Sequence, residues 1–148
     1  MNRMKYVWMM SLVALVMFSA CTEEVIIDSS LPQGTFSVAR SGSFVEQNST
    51  GSTGMAQLGT DEDGVQFVKF GTSFSTNFAT GTVTVYLSKS QTYMADPANG
   101  NPSLRLVGIT QKGGEQYFKV DPAVGSEFTH VILWCASAGV PFGYAPLN

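Results

Sequence analysis

Cysteine is nearly missing from this sequence: 148 residues contain two, Cys21 and Cys135. Histidine occurs once, as His130, and of seven methionines only Met55 and Met94 lie beyond residue 20. That supply is too small for a soft-ligand metal cluster, and no Cys-x-x-Cys-His exists to attach a haem covalently. Positive charge is scarce too: eight Lys and Arg face eleven Asp and Glu, with no basic cluster. The chain therefore carries no electrostatic footprint for nucleic acid. No apolar run reaches the ~20 residues of a spanning helix, and no long stretch keeps apolar residues at helical spacing. Paired catalytic carboxylates, a Ser-His-Asp set and a phosphate-cradling glycine loop are not identifiable, so the chain is not read as an enzyme.

What is present starts at the N-terminus. Arg3 and Lys5 precede a nearly unbroken apolar stretch from Val7 to Phe18, and Ser19-Ala20 set small residues before Cys21. A short basic region, a dozen apolar residues and a small-residue end predict a secretory signal over 1–20. The cysteine placed directly after it resembles the lipobox of bacterial lipoproteins, with Phe18 where Leu is usual. The resemblance implies lipid on Cys21, and more than one acyl chain makes such anchoring stable. Thr22 after the cysteine favours the outer membrane of a bacterial cell envelope. Residues 21–33, with "TEEVIIDSSLPQG" from 22 into 34, read as a flexible tether. Removing Arg3 and Lys5 leaves six basic against eleven acidic side chains, a net of −5, so attachment falls to the lipid and not to charge.

Residues 34–148 hold one domain. Gly, Ser, Thr and Asn punctuate short runs of Val, Phe, Tyr and Leu. "GTFSVA" (34–39) places Phe36 and Val38 on one side, and "GTVTVYLS" (81–88) alternates Val83, Val85 and Leu87 against Thr82, Thr84 and Tyr86. "GMAQLGTDEDGVQFVKFG" (54–71) predicts a hairpin around a solvated acidic tip, Asp61-Glu62-Asp63, with its second arm buried on both faces. "SLRLVGI" (103–109), "EQYFKV" (115–120) and "THVILWC" (129–135) continue the series. "NSTGSTG" (48–54) reads as a flexible low-complexity loop, and "DPAVGSEF" (121–128) has the cap and proline for one helical turn. The pattern predicts an all-β fold, an antiparallel sandwich or barrel of short strands.

Cys135 carries the functional question. A lone exported thiol is free for oxidation or for binding a redox group. It is equally suited to be a small core hydrophobe, and Val131, Leu133 and Cys135 share strand parity. His130, five residues earlier, points to the opposite face. Phe67, Phe70, Phe74 and Phe78 read as core.

The run into Trp134-Cys135 followed by Val140-Pro141-Phe142-Gly143-Tyr144-Ala145-Pro146-Leu147 resembles the electron transfer DM-thirteen domain, a single-cysteine module often near DOMON domains. "FGTSFSTN", "VTVYLS" and "LVGITQKGGEQYFKV" fit as well, over roughly residues 34–148. The chain departs from that pattern at Thr80-Gly81-Thr82, where Gly-Pro-Asp is common, and at Ala136-Ser137-Ala138, where an aromatic is usual. The resemblance implies redox through Cys135, as a thiol or as ligand to haem or another group, with Trp134, Phe142 and Tyr144 lining its pocket. It also implies a redox partner. The alternative is a non-catalytic envelope module that binds a protein or glycan and whose cysteine is only packed.

Overall fold

Period-two runs of β-branched and aromatic residues bury one face of a sheet and must find a second sheet to cover it. A computed structural model, describing residues 30–94 and 101–148, shows that solution. Its strands are β1 (Ser37–Ser43), β2 (Val45–Glu46), β3 (Met55–Thr60), β4 (Gln66–Phe70), β5 (Val83–Ser88), β6 (Leu104–Thr110), β7 (Gln116–Lys119), β8 (His130–Cys135) and β9 (Val140–Pro146). They form two antiparallel sheets, ordered β1-β3-β4-β7 and β2-β9-β8-β5-β6. No helix occurs among the described residues, and the sandwich expected from the sequence is what the chain builds. The signal expected over residues 1–20, and Cys21, lie outside the described residues.

The core lies between the sheets. Ala56, Leu58, Val68, Phe70 and Phe118 come from one layer, and Val83, Val85, Leu87, Val131, Leu133, Cys135, Phe142 and Ala145 from the other. β4 is buried on its second face as well, where Phe67 stands edge-on to Tyr117.

Four local expectations change. Strand β1 starts later than "GTFSVA", and Val38 is exposed. Phe36 instead stands edge-on to Tyr117 on the non-core side, reaching over Gly59, where any side chain would strike the Phe36 ring and the Ser37 carbonyl. Segment 48–54 is held rather than flexible: Thr50 Oγ1 donates to Phe142 O at 2.6 Å, and Ser52 Oγ shares hydrogen bonds with Thr50 and Thr76. Residues 121–128 contain no helical turn; the Asp121-Pro122 bond is cis.

The fourth change is the acidic tip. Asp61 is buried, not solvated. Its Oδ1 accepts from the Asp63 and Val65 amides and so shapes the β3–β4 loop. Its Oδ2 accepts from the Gln33 amide at 3.0 Å. Glu62 takes the Thr35 amide at 2.9 Å, while its own amide donates to Gln33 O. Donation from Gln33 is the main reason that Asp61 ionises below its ordinary value, and donation from Thr35 does the same for Glu62. Gln33, read as tether, is thus attached to the fold.

Candidate functional site

Strand β8 brings Cys135 to its place by simple alternation. Val131, Leu133 and Cys135 enter the core in turn, each with no exposed surface. Cys135 pairs with Val83 on one side and Val140 on the other. Over the sulfur lies Thr80, whose carbonyl is 3.8 Å and whose hydroxyl is 3.9 Å from Sγ. The Thr82 amide donates to Ser137 Oγ at 3.2 Å, and the Ala136 amide to Thr82 O at 2.9 Å. Gly81 has φ +113°, and a side chain there would collide with Ser137. Residues 79–81 and Ser137 are themselves exposed. The thiol is therefore sealed by a roof one chain layer thick, made from the 80–82 and 136–138 turns.

The roof brings together the two segments singled out as departures from the DM-thirteen pattern. With this geometry in place, comparison gives a direct result: the family model described as Electron transfer DM13 matches residues 43–147. The chain belongs to that family. No curated protein and no solved structure matches it. The DM13 assignment suggests a role related to electron transfer. It covers all the strands except most of β1, and leaves out residues 30–42.

The structure divides the residues proposed to line a pocket in this DM13 domain. Phe142 faces the core, 2 % exposed. Trp134 and Tyr144 stand on the other face of the same sheet. Trp134 stacks on Tyr93 at 3.9 Å with ring planes 19° apart, and Tyr144 lies 6.1 Å from the His130 ring. A bulge separates them. Leu133 pairs with Gly143 and Trp134 with Pro141, which leaves Phe142 as the extra residue of β9. Two consecutive residues then face inward, and the parity that would join Phe142 to Tyr144 is broken.

A haem does not fit around Cys135. An axial sulfur needs an open direction toward the iron, and the space beyond Sγ is taken by Thr80. His130 sits at the opposite end and opposite face of β8, Nδ1 2.9 Å from Thr129 Oγ1, its imidazole pushed toward the neutral form by burial. Met55 and Met94 are exposed. Among the described residues no group of three His, Cys, Asp or Glu can hold a metal ion.

Two features escaped the sequence reading. One is the outer aromatic group, in which Tyr86 lies 5.2 Å from Tyr93 beneath the Trp134 stack. Burial first, and then the Tyr86 phenol, push Tyr93 up to about 12. Tyr93 falls in a link with no periodicity, so no sequence signal places it. The other is a cleft of 820 Å³ between β6 and β7, lined by Leu31, Val107, Ile109, Lys112, Tyr117 and Lys119, among others. Its walls are the ends of two different sheets, which only topology brings together.

Proposed function

We propose that this DM13 domain is an electron-transfer accessory of the bacterial cell envelope, held to the outer membrane through lipid on Cys21, with Cys135 as its redox centre. The observation that carries this reading is the thin roof. Cys135 belongs to the core, but the residue lying over its sulfur, Thr80, is in an exposed turn, so a local opening there bares the sulfur while the sheets stay paired. Such openings draw on the least stable parts of a fold, and two hydrogen-bonded turns belong to that class.

The chemistry available to an opened lone thiol is exchange. Its proton goes to solvent, and the thiolate attacks one sulfur of a partner disulfide. A new S–S bond forms as the partner's bond breaks, and the partner's second sulfur leaves as a thiolate. Cys135 is oxidised and the partner reduced. With Cys21 acylated, no second thiol in the chain resolves this mixed disulfide, so a thiol from outside must complete the cycle. The partner is therefore an exported protein that carries an exchangeable disulfide.

A second reading has its own observation: Cys135 continues an apolar row with no exposed surface, which is how a packed structural cysteine sits. The domain is then a binding module for an envelope protein or glycan. Reaction with the aromatic disulfide dithiobis-nitrobenzoate separates the two. The redox reading expects the opening free energy at Cys135 to lie at least ~2 kcal/mol below that of global unfolding. It also expects Thr80→Gly to speed the reaction about tenfold. Protection equal to global unfolding, untouched by Thr80→Gly, leaves only the packed cysteine. Anchoring has a separate test: Cys21→Ser should move the protein from the membrane to the soluble fraction, and unchanged partitioning overturns that part.

A further inference from the structure

The segment ahead of β1 lies outside the family match, yet it is fastened to the domain at three kinds of contact. Leu31 lines the cleft between β6 and β7. Gln33 and Thr35 are gripped by the Asp61 and Glu62 carboxylates, with the Glu62 amide returning a bond to Gln33 O. Phe36 packs edge-on to Tyr117 at 5.7 Å, over Gly59. Beneath this run Phe67 is 1 % exposed on the sheet face that has no second sheet to cover it.

We infer that residues 30–36 are a releasable strap, latched by Asp61 and Glu62, that closes the non-core face of the β1-β3-β4-β7 sheet and one end of the β6–β7 cleft. The latch fits the strap at one residue in particular. Gly34 holds φ +68°, and a side chain there would meet the Glu62 carboxylate. The Glu62 chain thus wraps the strap backbone where it is bare. The two carboxylates differ in duty. Asp61 also shapes its own loop through Asp63 and Val65, whereas the Glu62 carboxylate takes the Thr35 amide and lies against the strap backbone at Gly34. The strap can therefore come free with every strand still paired. Its release uncovers Phe67 and Tyr117, opens the cleft at the Leu31 end, and lengthens the chain between the domain and residue 21. The last effect alone rests on the anchored reading.

Amide hydrogen exchange on the full chain tests this, because it reads the strap and the sheets separately. In Glu62→Gln the amides of residues 33–36 should exchange about tenfold faster, while those of β8 stay unchanged. Asp61→Asn should do the same, and if it fails to fold, Glu62→Gln decides alone. Strap exchange that does not change in Glu62→Gln overturns the latch. So does a rise shared equally by β8, which marks Glu62 as part of the global fold. Release by Phe36→Ala but not by Glu62→Gln overturns it too, by assigning the hold to packing. None of these readouts depends on Cys135 or on lipid.

Discussion

Phe70→Ala should lower the unfolding free energy by about 3–5 kcal/mol, the largest effect expected of any single truncation here. Phe70 has no exposed surface and sits where four rings converge, with Phe74 at 4.3 Å, Phe118 at 5.0 Å and Phe44 at 5.2 Å. These partners come from the segment after β4, from β7 and from the link between β1 and β2. Removing the ring opens a hole that no single element can fill by moving. Aromatic edge-to-face contacts add ~0.5–1.5 kcal/mol to the burial term. Both sheets share one core, so denaturant unfolding should remain a single transition with the same slope and an earlier midpoint. A loss below about 1 kcal/mol would mean that the site collapses freely, and the account of a single interlocked core would then fail.

Cys135→Ser should be the more damaging of two small changes at the roofed thiol, and Cys135→Ala the milder. Alanine only removes an apolar atom. Serine brings a hydroxyl into a row of Val131, Leu133, Val83 and Val140, where the nearest acceptors, on Thr80, are 3.8 and 3.9 Å from the sulfur. A hydroxyl bond needs about 2.5–3.0 Å, and the shorter C–O bond draws the oxygen further back. An unsatisfied buried hydroxyl costs about 1–3 kcal/mol, so serine should fall below alanine by that margin in denaturant titration. Equal stability, or serine ahead, would show that the roof supplies polar partners and that the surroundings are not apolar. The order also bears on the redox reading, since only alanine then serves as a folded, thiol-free control.

The fold class was legible because alternation is a local signal. Val83, Val85 and Leu87 show their common face within one strand, and so do Val131, Leu133 and Cys135. The family was legible from the run between Trp134 and Leu147. The placement of Phe142 was not. Parity counts residues and cannot see a bulge; only Gly143, a glycine inside a strand pattern, hinted at one. At that glycine a side chain would come 2.8 Å from Val45 O. The buried Asp61 was missed for a related reason. An acidic triplet at a hairpin tip reads as solvated, and the amide of Gln33 that covers it comes from 28 residues away. The roof over Cys135 likewise joins turns 55 residues apart. Close approach of distant turns leaves no trace in spacing.

The two ends of the strand ladders are unequal. On one side of the sandwich, Ser41 in β1 exchanges backbone bonds with Asn148 at 3.1 Å each way, and β2 is only two residues long. On the other side, β6 and β7 end their sheets, with Leu106 and Ile109 exposed on β6. Among the described residues, β1 is therefore bound at Ser41 and β2 is short, whereas β6 and β7 each end a sheet with no further strand beside them. An edge strand with no neighbour presents backbone donors and acceptors to which a further strand can add. Pairing with another extended chain is thus left to the β6 and β7 edges, away from the side that the C-terminal residue closes.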